Sequence, residues 1–153
     1  MELKYFIRQM QKEDLEKVTK LEQSCFSMPW TYKDFEEVLT IPNRIYLVAQ
    51  LQDSFEIVGG CMLTQIAGEG DVSNVAVDAA YRGNHIATDL LEKLITYGEE
   101  KWNISAFTLE VRSKNTAAIK LYENVGFESV GIRPNFYDKP KEDALIMWRT
   151  KKE

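Results

Sequence analysis

The chain has 153 residues, 44% of them hydrophobic and 28% charged, which is ordinary globular composition and long enough for one real core. Its formal net charge of −5 argues against a nucleic-acid binder with a basic face and fits a mildly acidic, solvated surface. One His and two Cys without metal-type spacing make no credible zinc site, so Cys25 and Cys61 read as small buried hydrophobes of a reducing compartment.

The first ten residues, MELKYFIRQM, contain no long apolar run after a basic region, so no signal peptide is expected. No window approaches the ~18 apolar residues of a membrane span, and a cytoplasmic location follows. Leu3 to Arg8 predicts a strand. Glu13 to Cys25 predicts a helix with Leu15, Val18, Leu21 and Cys25 as its apolar stripe. Phe26 to Trp30 is a loop, because Pro29 disfavours helix at Met28. Thr31 can cap a second short helix, with Asp34 completing a capping box. Ile45–Leu51 and Glu56–Gln65 are strands around the polar turn Gln52–Ser54. Gly68 to Asp71 reads as a second turn, and Val72–Asp78 follows as a strand, so that the three strands form an antiparallel meander. The period then changes. Ile86, Leu90, Leu91, Leu94 and Ile95 recur at helical spacing up to Trp102. Ala106–Arg112 alternates as a strand. Asn115–Val125 is a helix with Asn115 as cap and Gly126 as stop. Phe127–Ile132 and Ala144–Arg149 are the last strands, joined by the polar loop Asn135–Asp143. No repeat, low-complexity tract or linker interrupts this order, so residues 1–153 are expected to form one α+β domain around a central mixed sheet.

The junction from Val72–Asp78 through Tyr81–Ala87 into the long helix is the first chemical candidate. A helix N-terminus offers up to about four unpaired N–H groups and the positive end of the macrodipole, which suits a phosphorylated ligand. Gly83 allows close backbone approach, and His85 in the first turn reads as a surface residue. Glu110 shares a strand face with Thr108 and Arg112. It is either an exposed partner of Arg112 or a general base in a cleft. Asn115 and Tyr122 share a helix face. Tyr122 is either an ordinary core-edge residue or a phenol able to protonate a departing thiolate.

Three ordered blocks resemble the GCN5-related N-acetyltransferase (GNAT) superfamily: Asn74 to Leu91 (NVAVDAAYRGNHIATDLL), Leu109 to Arg112 followed by Asn115, and Leu121 to Phe127. Within it the chain is most similar to the bacterial ribosomal-protein-alanine N-acetyltransferases. Pro29-Trp30, the LEVR block, Arg133 to Tyr137 and Glu142 to Ala144 carry that likeness.

The resemblance implies a mostly antiparallel seven-stranded sheet flanked by about four helices. Strands four and five would splay in a V, helped by a bulge near Asn74. The pantetheine arm of acetyl-CoA would pair with the main chain of Val75, Ala76 and Val77. Its pyrophosphate would rest on Arg82, Gly83, Asn84, His85, Ile86 and Ala87, and Asn115 would also contact the cofactor. Glu110 would be the base and Tyr122 the acid, without an acyl-enzyme and without a metal. Trp30, Arg133 and Tyr137 would hold the acceptor peptide, while Phe136 stands where many relatives carry a second Tyr. The implied reaction is acetyl transfer to the N-terminal amine of a protein, with a ribosomal protein beginning in alanine as acceptor. No nucleic acid and no membrane would be direct partners. The rivals are transfer to a small amine or lysine side chain, and a CoA-binding module with weak catalysis. His85 departs from the family pattern by standing where its first Gly is expected. Its Cβ would crowd the pyrophosphate, or its imidazole would swing outward or, when protonated, assist a phosphate. The expectation is weakened, not abolished, cofactor binding.

Overall fold

Hydrophobic alternation draws seven segments into one sheet. A computed structural model of the chain describes residues 2–150. The strands are β1 (Tyr5–Gln9), β2 (Arg44–Leu51), β3 (Ile57–Ile66), β4 (Glu69–Val77), β5 (Ala106–Arg112), β6 (Glu128–Tyr137) and β7 (Glu142–Thr150). Their spatial order is β1-β2-β3-β4-β5-β7-β6. Every neighbouring pair is antiparallel except β4 and β5, which run parallel. The helices are α1 (Leu15–Cys25), α2 (Tyr32–Val38), α3 (Ile86–Trp102) and α4 (Thr116–Asn124). No helix among the described residues is long and apolar enough to cross a membrane.

Each face of the sheet has its own apolar core. On one face the stripe Ile86, Leu90, Leu91, Leu94 and Ile95 of α3 packs with Leu63, Val72, Phe107 and Leu109. On the other, Leu15, Val18 and Leu21 of α1 and Phe35 of α2 pack with Tyr46, Met62 and Ala76. Burying each such large side chain stabilises the fold by about 1.5–3 kcal/mol. The two helices on that second face are set locally. The hydroxyl of Thr31 accepts from the Asp34 N–H at 3.2 Å and the Asp34 carboxylate accepts from the Thr31 N–H at 2.9 Å, as the capping-box spacing predicts.

The strand pair that matters for function is β4–β5. Only Gly70↔Phe107 and Asp71↔Thr108 are in register. Beyond them the strands part, and β4 carries its own distortion. Its register with β3 runs Gly60↔Ala76 but Met62↔Ser73, so one extra β4 residue is accommodated there. Asn74 sits in that bulge with φ +54°, left-handed backbone that Asn tolerates better than most residues. The splay and the bulge near Asn74 are thus both present.

The largest differences from the sequence expectation are at two turns. The second turn is only Ala67 and Gly68, with φ of +52° and +81°, so Glu69, Gly70 and Asp71 belong to β4. Two consecutive positive φ values match the twist of a tight hairpin. The polar loop Asn135–Asp143 shrinks to 138–141, because β6 and β7 extend into it. Tertiary bonds hold that extension. The Asn135 N–H donates to Asp143 at 2.9 Å, and Arg112 donates to the carbonyls of Asp138 and Pro140 at 2.9 and 2.8 Å.

Candidate active site

A cavity of about 590 Å³ opens where β4 and β5 part, between the edge of β4 and the starts of α3 and α4. The Asp78 N–H donates to the Val58 carbonyl at 2.8 Å, so residue 78 turns its peptide groups toward β3. Strand alternation then turns Val77 and Val75 toward the gap that β5 has vacated. The Val77 carbonyl accepts from Arg82 Nε at 3.1 Å and Cys25 Sγ at 3.5 Å. Val75 lies outside both strand registers. Ala76 also lines the cavity, and alternation from residue 78 turns its main chain toward β3.

The start of α3 forms the next wall, with Arg82, Gly83, His85, Ile86 and Ala87 all on it. The first bond inside the helix runs from the Asp89 N–H to the His85 carbonyl at 3.0 Å. The N–H groups of Ile86, Ala87 and Thr88 are therefore free of intrahelical partners at the positive end of the helix. Gly83 has φ +84° and His85 φ +63°. His85 caps the helix in this left-handed conformation, with no hydrogen bond from its side chain to the helix. Asn84 does not line the cavity; its amide bonds to the Tyr81 carbonyl at 2.9 Å and braces the turn from behind.

Asn115 and Tyr122 close the third side from α4. Asn115 Oδ1 accepts the Ala118 N–H at 3.2 Å, so the cap and the cavity contact coexist. Tyr122 is almost wholly buried and packs edge-on against Phe127 with ring centroids 6.1 Å apart. Burial first, then Tyr137, drives its pKa upward, so the phenol is held neutral. Cys25 is corrected from a buried hydrophobe to a half-buried residue on the cavity wall. Cys61 is buried as expected, and burial pushes its thiol pKa up.

The other wall of the gap carries side chains. Phe107, Leu109 and Val111 are buried, and Thr108, Glu110 and Arg112 face the opposite way, as alternation predicts. Glu110 does not pair with Arg112. Its Oε2 lies 3.5 Å from Arg133 Nη1, and Arg112 pairs with Glu142 at 3.2 Å. β6 brings Arg133 to Glu110, and β7 brings Glu142 to Arg112. Arg133 also lies over Phe136, 5.3 Å from its centroid, and Arg112 over Tyr137 at 4.6 Å. The Tyr137 hydroxyl is pushed up to about 12, first by burial and then by Glu110, with Arg112 opposing. Glu110 acts on Tyr137 and Tyr137 on Tyr122, which brings the three groups into one electrostatic neighbourhood.

Three residues of this site were not singled out in the sequence as chemical. Asp71 lies in the cross-strand row Arg44↔Thr64↔Asp71↔Thr108 at the last paired step before the gap. Its carboxyl is pushed up to about 6, by burial first and Glu110 second, with Arg44 opposing. Arg44 in turn lies 5.6 Å from the ring centroid of Trp30. Glu22 on α1 is buried and accepts from the Trp30 N–H at 3.2 Å and Asn74 Nδ2 at 3.1 Å. Cys25 is the third. The one available signal was Glu22, a charge on the otherwise apolar face of α1.

A family model described as the Acetyltransferase (GNAT) family matches residues 15–127. A Bacillus subtilis relative, provisionally named a ribosomal protein bS18-alanine N-acetyltransferase, is 34% identical over 151 residues, covering 98% of each chain. The crystal structure of the ribosomal-protein-S18-alanine N-acetyltransferase from Escherichia coli superposes with a TM-score of 0.86 and 30% identity, covering 98% of this chain and 96% of that one. A chain of the NatC complex, solved bound to Gag peptide and CoA, shares the fold at a TM-score of 0.83 and 21% identity, covering 99% of this chain and 100% of that chain.

Proposed function

The chain belongs to the acetyltransferase (GNAT) family, and on that premise we propose that it transfers acetyl from acetyl-CoA to the N-terminal α-amine of a ribosomal protein beginning in alanine, S18 by its likeness to the relatives above. The observation that carries the reading is the parting of β4 and β5 after two paired positions. It opens a gap with main-chain groups on one side and a carboxylate strand on the other.

The cavity fits the donor. The main-chain groups of Val75 and Val77 suit the amides of a pantetheine arm, and the free N–H groups of Ile86 to Thr88 suit a pyrophosphate. Gly83 and Asn115 complete that wall, with Arg82 braced on Val77 and His85 at the cap. Acetyl-CoA supplies the acetyl group as an activated thioester. The chain's own residues do the rest. An N-terminal ammonium has a pKa near ~7.7–8.0 and must lose a proton before it attacks. Glu110 takes that proton, directly or through water. Asp71 adds a second carboxyl facing the incoming cation. An N–H at the β4 bulge steadies the carbonyl oxygen as it gains charge. Tyr122 protonates the departing thiolate, a role suited to a phenol kept neutral by burial. Trp30, Arg133 and Tyr137 hold the peptide, and Phe136 offers a ring without the hydroxyl of a second Tyr.

The test is acetyl-CoA turnover over N-terminal peptides and small amines, read by mass spectrometry. Acetylation of the α-amine of an Ala-starting peptide is the expected result. Transfer only to free polyamines or to lysine side chains would replace the acceptor. CoA binding with no transfer to any amine would leave a binding module.

A further inference from the structure

Glu22 is a buried carboxylate to which the mechanism above gives no task. It sits at 3% exposure on α1, the helix whose Leu15, Val18 and Leu21 belong to the second core. A residue kept there for packing alone would be apolar, since burying a carboxylate is costly unless donors meet it. Two donors do, and they come from the two halves of the cleft. Asn74 Nδ2 belongs to the β4 bulge and lies 3.1 Å from Glu22 Oε2. The Trp30 N–H belongs to the loop between α1 and α2 and lies 3.2 Å from the same oxygen.

We propose that Glu22 is a positioning residue that ties the β4 bulge, through Asn74, to the acceptor loop, through Trp30. The proposal rests on the transfer reading only for what the tie is for: it keeps the donor wall and the acceptor wall at a set spacing.

Further observations support it. Asn74 holds a left-handed conformation that the chain adopts at a cost, and its side chain is anchored to Glu22 alone. Glu22 Oε1 and the Tyr46 hydroxyl are both buried without a partner, so the carboxylate is spent on the two N–H groups and not on satisfying a local network. Burial pushes the Glu22 pKa up, and the bonds from Trp30 and Asn74 oppose that shift. One turn on, Cys25 Sγ reaches the Val77 carbonyl, so the end of α1 touches β4 on both sides of the cavity edge.

The experiment uses Glu22→Met, Glu22→Gln and Asn74→Gly in the full chain. Glycine at 74 keeps the left-handed backbone and removes only the tether. Glu22→Met and Asn74→Gly should each lower kcat about tenfold while acetyl-CoA affinity stays within about twofold, because a misplacement on the order of 1 Å is costly to transfer but not to cofactor binding. Their combination should be no worse than either alone, as expected for residues acting as one unit. Glu22→Gln should recover most of the rate, since its carboxamide oxygen can accept both N–H groups. A second readout does not depend on turnover. Hydrogen exchange in the free protein should rise at residues 28–31 and 73–77 together in Glu22→Met. Additive losses, unchanged kcat, or exchange that rises at one segment only would overturn the tie. Failure of the parent reading would show instead in the wild type, as transfer to another amine or to none, and the exchange result would still decide the role of Glu22.

Discussion

Along the edge of β4 and the start of α3, the groups turned to the cavity are main-chain N–H and C=O groups, held in place by unusual backbone angles at Asn74, Gly83 and His85. Across the gap, β5 and β6 carry side chains outside that lining: Glu110 against Arg133, and Arg112 against Glu142 of β7 and over Tyr137. A backbone wall reads shape and phosphate charge, and it survives most substitutions that keep φ. On the proposed function, the side-chain wall meets the acceptor. The difference predicts that mutations on the two sides will separate into cofactor affinity and transfer rate.

The strongest way to break that division is Glu110→Gln. It should lower kcat/KM for the peptide by about 10²–10³-fold, the range of general base catalysis. Acetyl-CoA affinity should hardly move. The loss should be deepest below the amine's pKa of about 7.7–8.0 and shrink above it, where the amine no longer needs a base. A parallel profile across that range would remove Glu110 from proton transfer. Tyr122→Phe comes next, at about 10–10²-fold in kcat. The ring packs on Phe127 and survives the change, so stability should hold. The defect should shrink with an acetyl thioester of a more acidic thiol, which leaves without help; an equal defect on both donors would make Tyr122 a packing residue.

Which parts of this site could be read in advance follows from the same division. β5 was legible to the residue, because strict alternation from Ala106 to Arg112 has one reading. The α3 stripe and the Thr31–Asp34 cap were legible for the same local reason. The hairpin at Ala67–Gly68 was not, since Ala-Gly lacks the Asn-Gly or Asp-Gly signal of such turns, and Asp71 was misplaced with it. The extension of β6 and β7 depends on Arg112 bonding to carbonyls 26 and 28 residues away. Glu22 and Asn74 meet across 52 residues, as do Cys25 and Val77. No spacing rule within a helix or strand reports such pairs. The N–H groups at the start of α3 were legible from the strand-to-helix junction, whereas the edge of β4 showed itself only through the ordered blocks that resemble a family.

Asp71→Asn tests whether the last paired step of β4 before the gap stores a cost. The folded carboxyl is held at about 6, above its ordinary value of 3.8. An acid raised on folding binds more protons in the native state between those two values, so stability is greatest below the lower one and is lost as pH rises through the upper. Asn removes that penalty at neutral pH. Partial solvent exposure reduces it to the order of 1 kcal/mol, or about 2–4 °C in Tm for a chain of this length. The gain should vanish when melting is repeated near pH 4. A gain that persists there would have another origin, and a loss at pH 7 would mean that Arg44 depends on the charge.

The smallest effect belongs to the backbone wall, at His85→Gly, and two contributions must be separated there. The left-handed angle at residue 85 costs a non-glycine residue roughly 1 kcal/mol. Histidine is among the residues more often found in this region, and glycine adds unfolded-chain entropy, so the net change in stability should be only a few tenths of a kcal/mol. The second contribution concerns the ligand. If the Cβ and imidazole crowd the pyrophosphate, acetyl-CoA should bind about threefold tighter to His85→Gly, a gain on the order of 0.6–0.7 kcal/mol. A pantetheine fragment that ends before the pyrophosphate then serves as the internal control, because it reaches Val75 and Val77 but not the cap of α3. Its affinity should be the same for both proteins. Tightening of both ligands would assign the gain to a general relaxation of the junction. Unchanged or weaker binding of acetyl-CoA would mean that the cap geometry alone suffices and that the imidazole stands clear of the phosphates or helps to hold them.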